Sequence, residues 1–229
     1  MQQVSGHTLK AFDEDIERLR ALISQMGGLA EHAIEEAMRC LMQRDLEGAA
    51  LVVQEDKKLD SLEIETERRA VQLIALRAPM AGDLRDVVAA LKISGVVERI
   101  GDYAKNIAKR VPLLENVGKI EPLALLDEMA RISTEMVHNV LDAFVERDAE
   151  AAVRVCERDV AVDDFYDSIF RTLLTHMMEN PHNIGQSAHL LFVAKNLERV
   201  GDHATNIAEM VYYAATGEHM ADRPGKSPR

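Results

Sequence analysis

The sequence predicts an all-α protein built from two repeated antiparallel three-helix bundles, and three observations lead there. Aromatic residues make up only 4% of the 229 residues and Trp is absent, while helix-favouring Ala, Leu, Glu and Arg are abundant. Apolar residues recur in steps of three and four over long stretches, the spacing of a helix that buries one face. The second half of the chain then repeats the first, motif for motif. A hydrophobic fraction of 47% is enough to build packed cores and excludes a mainly disordered chain.

The first helix is predicted over 8–43, where Leu9, Phe12, Ile16, Leu19, Ile23, Met26, Ala30, Ala33, Ala37 and Leu41 form a continuous seam. Gly27-Gly28 is a point at which it could bend. Arg44-Asp45 marks a short break before a second helix over 46–77. Pro79 and Gly82 read as a turn, and a third helix follows over 83–112. Pro112, Gly118 and Pro122 mark a linker. Helices at 122–146, 149–178 and 185–215 repeat the plan, with turns at Arg147-Asp148 and Asn180-Pro181. The predicted units are therefore 1–113, 114–216 and a disordered polar tail, 217–229, containing Pro224, Gly225 and Pro228.

The repeat is visible in the residues themselves. ERIGDYAKNIAKRV from Glu98 and ERVGDHATNIAEMV from Glu198 agree at nine of fourteen positions, 100 residues apart. Upstream, QRDLEGAALVVQEDKKLD ending at Asp60 matches ERDAEAAVRVCERDVAVD ending at Asp163, 103 residues apart. A three-residue difference in the turns around Pro79 and Pro181 accounts for the two offsets.

A net charge of −12 without any basic patch excludes direct DNA or RNA binding and suits solubility, cations or a basic protein partner. Cys40 and Cys156 lie apart, inside helical segments and without metal or redox spacing, and read as reduced packing residues. No apolar run approaches the roughly 20 residues that span a bilayer. The opening residues lack the apolar stretch of a secretory signal, so the cytoplasm is the expected compartment.

The chemistry concentrates in carboxylates. Asp56 with Asp60, Glu98 with Asp102, Asp159 with Asp163, and Glu198 with Asp202 are pairs four apart, each on one helix face. Asp60 and Glu98 are equidistant from Pro79, as are Asp56 and Asp102. In the second half the corresponding residues are symmetric about the Asn180-Pro181 bond. Antiparallel helices turning at those points carry the pairs at matching heights, one four-carboxylate cluster per half. Glu98 and Asp102 fall off the apolar stripe of Val97, Ile100, Gly101, Ala104, Ile107 and Ala108, which places the cluster on an outer flank, in a surface groove.

Two readings of the cluster stand side by side. Four acids repel, and oxygen-rich sites suit hard cations such as Mg²⁺, Mn²⁺ or Ca²⁺, and iron. Alternatively the acids form a solvated face balanced by Lys57, Lys58 and Arg99. In the second half Val160 and Ala161 replace the two lysines while all four acids persist. Asn106 and Asn206 either add an amide oxygen or bond nearby backbone. Gly101 and Gly201 read as points of close helix approach. Arg99 and Arg199 either orient the carboxylates or form surface ion pairs. His203, opposite Tyr103 in the repeat, reads as an exposed side chain. The Glu135-x-x-His138 step has no repeat-equivalent partner, as a di-iron bundle would require.

The paired ERxGDxxxNIA motif, the Asp-x-x-x-Asp on each middle helix and the opening HTLKAFDEDIERLRALI resemble the PhoU family over residues 7 to 216. The resemblance implies two three-helix bundles related by a pseudo-twofold axis. It implies metal binding, as iron clusters or as Mg²⁺, Mn²⁺ or Zn²⁺, through Asp56, Asp60, Glu98, Asp102, Asp159, Asp163, Glu198 and Asp202. It implies a negative regulator of the phosphate-starvation response that links the ATPase subunit of the phosphate ABC transporter to a membrane sensor histidine kinase. Dimerisation is common in the family, and contact with the membrane runs only through partners. The departures at Val160 and Ala161 imply unequal metal affinity in the two halves.

No phosphate-cradling glycine loop and no repeated nucleophile and base are present, so a non-enzymatic regulator is expected. The competing readings are a carboxylate metalloenzyme, a plain helical scaffold, or a PhoU-like paralogue serving another transporter.

Overall fold

A computed structural model describes residues 3–114 and 123–220. The side chain of Leu9, the linker residues Gly118 and Pro122, and the tail from 221 to 229 lie outside the described residues. Six helices follow in order: α1 (Gln3–Gln43), α2 (Leu46–Arg77), α3 (Ala81–Ala108), α4 (Leu123–Glu146), α5 (Ala149–Glu179) and α6 (Ile184–Thr216). Short 3₁₀ turns at Val111–Leu114 and Pro181–Asn183 follow α3 and precede α6. No strand occurs among the described residues.

The boundaries have local causes. Arg44 and Arg147, which are repeat-equivalent, adopt left-handed backbone with φ of 58° and 57°. The next amide in each case reaches five residues back, from Asp45 to the Cys40 carbonyl and from Asp148 to the Ala143 carbonyl, and closes the first helix of each half. The same two aspartates then cap the following helix, accepting from the amides of Gly48 and Ala151 at 2.9 Å. One Arg-Asp dipeptide thus ends a helix and starts the next in both repeats. Ala78 closes α2 in left-handed conformation, and Asn180 with Pro181 turns the chain between α5 and α6.

α1 buries Leu19, Ile23, Met26, Ala30, Ile34 and Ala37 and passes through Gly27-Gly28 without a break. Gly27 serves packing instead of bending: a Cβ there would lie 2.3 Å from Leu141 Cδ1 of α4, so α1 and α4 approach closely at this point.

Within each half the three helices pack against one another, and the halves join through α3 against α6 and α1 against α4. Buried apolar residues from both halves form one continuous interior. The strongest positional marker is Tyr103 against His203, stacked with ring centroids 5.4 Å apart and an interplanar angle of 18°. These residues are repeat-equivalent, and equivalent residues of two related bundles touch each other only near the axis that relates them. Arg110 lies over the Phe192 ring, 3.8 Å from its centroid, and Arg85 reaches the Ala214 carbonyl at 3.5 Å. Residue numbers rise on α3 as they fall on α6, so the two helices cross antiparallel at the pseudo-twofold axis.

Asp86 of α3 adds a buried ionic node: Arg20 of α1 donates to its Oδ2 at 3.3 Å, and Arg147 approaches its Oδ1 at 3.2 Å. Cys40 and Cys156 are buried free thiols. No helix among the described residues is long and apolar enough to cross a membrane.

Candidate metal centre

In the first half, α2 presents Asp56 and Asp60 and α3 presents Glu98 and Asp102, all partly buried. The ammonium of Lys105 donates to Asp56 Oδ2 at 2.5 Å and to Asp102 Oδ1 at 2.6 Å. One cation of the chain's own therefore ties α2 to α3 at the height that symmetry about Pro79 requires. Burial works against the charge on Lys105, but hydrogen bonds to Asp102 and Asp56 hold its pKa above the ordinary lysine range. Burial raises the pKa of Glu98, and the negative charges of Asp102, Asp60, Asp56 and Glu63 push it up further. The four predicted acids of this half thus act electrostatically on Glu98 as one group. A groove of about 210 Å³ between α1 and α2 opens onto Asp56 and Gly101.

The second half is arranged differently. Asp159 and Glu198 are buried, while Asp163 and Asp202 are partly buried. The expectation of an outer-flank cluster is corrected here for Asp159 and Glu198. α6 packs against α3, α4 and α5, so it has more than one inward face and a single apolar stripe underestimates what it buries. Asp159 stands one turn from buried Val155 and Val162, facing Gly201. A Cβ on Gly201 would lie 3.1 Å from Asp159 Oδ1 and 3.3 Å from Val162 Cγ1. Gly101 has the same relation to Leu59, at 3.1 Å, and to Asp56 Oδ1, at 3.6 Å. Each glycine removes a side chain where the middle-helix aspartate must fit against the third helix.

The equivalent of Lys105 is Thr205, whose hydroxyl donates to the Asp202 carbonyl at 2.7 Å. The nearby lysine is instead Lys195, 2.7 Å from Glu198 Oε2 and one turn earlier on the same helix. Its approach lies off the hydrogen-bonding direction, so that buried oxygen has an ionic neighbour and no hydrogen bond.

Between the clusters, the Tyr103 hydroxyl and His203 Nε2 are 2.9 Å apart. Burial lowers the pKa of His203, Arg99 and Arg199 lower it further, and Asp202 opposes them. The expected exposed histidine is therefore corrected to a half-buried one engaged across the axis. Asn206 approaches His203 Nδ1 at 3.4 Å, and Arg199 lies 5.9 Å from the Tyr103 ring. Glu135 and His138 do not form a common site. Glu135 pairs with Arg131, and His138 lies 3.2 Å from Glu31 and 3.5 Å from Asp142.

Among the described residues, no three Asp, Glu, His or Cys side chains close on one point tightly enough to hold a metal ion as they stand. The donor set nevertheless fits a hard cation. Its oxygens already enclose one positive charge in the first half, and in the second a buried carboxylate oxygen is left without a hydrogen bond. Sequence reasoning missed the Lys105 bridge, although Lys105 stands one turn after Asp102 and two turns after Glu98 on the same face. It also missed Asp86, for which no local pattern announces burial.

Comparisons with known proteins agree with this architecture. A model of the PhoU domain matches residues 23–111 and 126–211, once in each half. The chain is 57% identical to the phosphate-specific transport system accessory protein PhoU homolog of Zymomonas mobilis, over 95% of this chain and 92% of that one. It is 46% identical to the homolog of Caulobacter vibrioides, over 97% of each chain. The crystal structure of PhoU from Pseudomonas aeruginosa is similar with a TM-score of 0.86 and 34% identity, covering 90% of this chain and all of that one. That of the phosphate transport system regulatory protein PhoU from Streptococcus pneumoniae gives 0.85 and 27%, covering 92% and 99%.

Proposed function

The chain belongs to the PhoU family, and from that premise we propose that it is a metal-binding negative regulator of phosphate uptake and of the phosphate-starvation response. It acts in the cytoplasm as an adaptor, touching the ATPase subunit of the phosphate ABC transporter on one side and a sensor histidine kinase on the other. The observation that carries the reading is near-complete similarity to phosphate-specific transport accessory proteins, together with a carboxylate motif kept in both halves.

Asp56, Asp60, Glu98 and Asp102 would hold a cation in the first half, and Asp159, Asp163, Glu198 and Asp202 in the second. Iron, Mn²⁺, Mg²⁺ and Zn²⁺ are the candidates. A bound ion would offset carboxylate repulsion and pin each middle helix to the third helix of its bundle. The residues' own work is positional. Gly101 and Gly201 admit Asp56 and Asp159 to the third helices, and Tyr103 with His203 joins the two clusters across the axis. An acidic surface and a net charge of −12 suit docking onto basic surfaces of partner proteins. A homodimer belongs to the same proposal.

The test combines genetics with binding. Deleting the gene should switch on a phosphate-starvation reporter in phosphate-replete cells, and the purified protein should capture the transporter ATPase and the kinase cytoplasmic domain. A reporter that stays silent, with no capture of either partner, overturns the reading. Phosphatase or oxidase turnover by metal-loaded protein that is lost in Glu198→Ala, with helicity intact, would favour the metalloenzyme alternative.

A further inference from the structure

We infer that the two carboxylate clusters are not equivalent cation sites: Lys105 closes the first with the chain's own ammonium, and the second is the one that takes a divalent ion. The inference rests on the metal-binding reading proposed above and deepens it.

The argument is one of occupancy. Lys105 is anchored on α3, reaches across to α2, and is only 24% exposed. Its partner Asp56 is 7% exposed. A cation entering between α2 and α3 must break two charge-assisted hydrogen bonds of 2.5 and 2.6 Å and expel a lysine from a half-covered seat. In the second half the same helix position is Thr205, fully turned back onto its own helix, so no ammonium occupies the space between α5 and α6 from that side. Lys195 is no substitute. It sits on the rim at 43% exposure, reaches Glu198 alone, and lies 5.2 Å from the Tyr166 ring centroid. It can swing outward without breaking a bridge between helices.

Net charge does not reverse this. Glu63 adds a negative charge near Glu98, whereas the second half has Tyr166 at the equivalent position. An extra exposed acid raises the local field, but it does not vacate the seat that Lys105 fills. Lys57 and Lys58, the difference that the sequence alone singles out, are exposed on α2, and Lys58 pairs with Glu55. The asymmetry therefore resides on the third helices, in Lys105 against Thr205.

Mn²⁺ titration followed by electron paramagnetic resonance of the free ion tests this on the full chain. In the native protein, Asp163→Asn should remove the tight class of Mn²⁺ binding, and Asp60→Asn should leave it within about twofold. Lys105→Thr, which copies the second half, should add or tighten a class in the first half by roughly tenfold or more, the size of effect that groups around a metal's ligands exert. Both aspartates are partly exposed, so their Asn variants should retain the fold, checked by circular dichroism. That contrast decides the matter even where Lys105→Thr does not fold. Equal loss on Asp60→Asn and Asp163→Asn, or no change in Lys105→Thr, overturns the inference and leaves the metal-binding reading standing. Absence of Mn²⁺ binding in every variant, including Lys105→Thr, overturns both.

Discussion

At the scale of single residues, the molecule separates positions whose chemistry looks identical in sequence. Four helical glycines illustrate it. Gly28 is exposed, with nothing within 4 Å of where a Cβ would stand, so it brings only the backbone freedom of glycine. Gly28→Ala should therefore stabilise the protein by about 0.5–1 kcal/mol in urea unfolding. Gly201 is the opposite case. Its place against Asp159 and Val162 leaves no room for a longer side chain, and Gly201→Leu should cost about 1–3 kcal/mol by overpacking. Equal effects from the two substitutions would show that the packing of α5 on α6 is not what Gly201 serves. Gly27 and Gly101 stand between these extremes, the first against a movable leucine tip, the second against Leu59 and Asp56. Sequence reasoning placed Gly101 and Gly201 at close helix approaches because a mid-helix glycine otherwise weakens the helix. It had no means of telling Gly27 from Gly28, since both sit in the same local pattern.

At the scale of elements, the six helices and their turns were legible almost to the residue. α2 was expected over 46–77 and is Leu46–Arg77. Its signals are local: an Arg-Asp dipeptide that ends one helix and caps the next, an apolar period of three and four, and a proline at the turn. Side-chain bridges between elements were not legible, and the Asp86 node shows why. Its partners come from α1 and from the turn after α4, far apart in sequence. Burial raises the pKa of Asp86, while Arg147 and Arg20 pull it down without winning. An acid whose folded pKa lies above its unfolded value contributes most below the unfolded value and loses that contribution as pH rises through the folded one. Arg147→Ala removes a compensating cation and lifts the folded pKa further. The substitution should therefore cost about 1–3 kcal/mol at neutral pH and less near pH 4, by urea unfolding at the two pH values. A cost independent of pH would show that Arg147 acts through packing and its contact with the Ala214 carbonyl alone.

At the scale of the whole molecule, duplication produces two bundles, but the interior is shared. Ile100 and Ile107 of α3 and Val200 and Ile207 of α6 belong to one buried cluster with α1 and α4, and Tyr103 meets His203 across the axis. Separating the halves would expose that surface to water, at roughly 25 cal/mol for each Å² of apolar area. Calorimetry should accordingly give one transition, with a calorimetric enthalpy close to the van't Hoff value. Two resolved transitions, each carrying about half the heat, would mean that the halves unfold separately. An interior crossing the axis also explains why duplicated sites have diverged: each helix of a pair sees different neighbours, so a substitution such as Lys for Thr at the repeat position changes one cluster only.

By itself the sequence determined that this chain is helical, where each helix starts and stops, that the two halves are copies, and that each copy carries two acidic pairs at matching heights. These follow from forces acting within a few residues, namely capping, periodicity and turn chemistry, and from counting along antiparallel helices. Only the tertiary structure decided which acids are buried, that Lys105 rather than Lys57 or Lys58 fills the first cluster, and that His203 faces Tyr103. Those outcomes depend on how helices from distant parts of the chain pack around a common axis, and desolvation and ion pairing there are set by neighbours that no local pattern names.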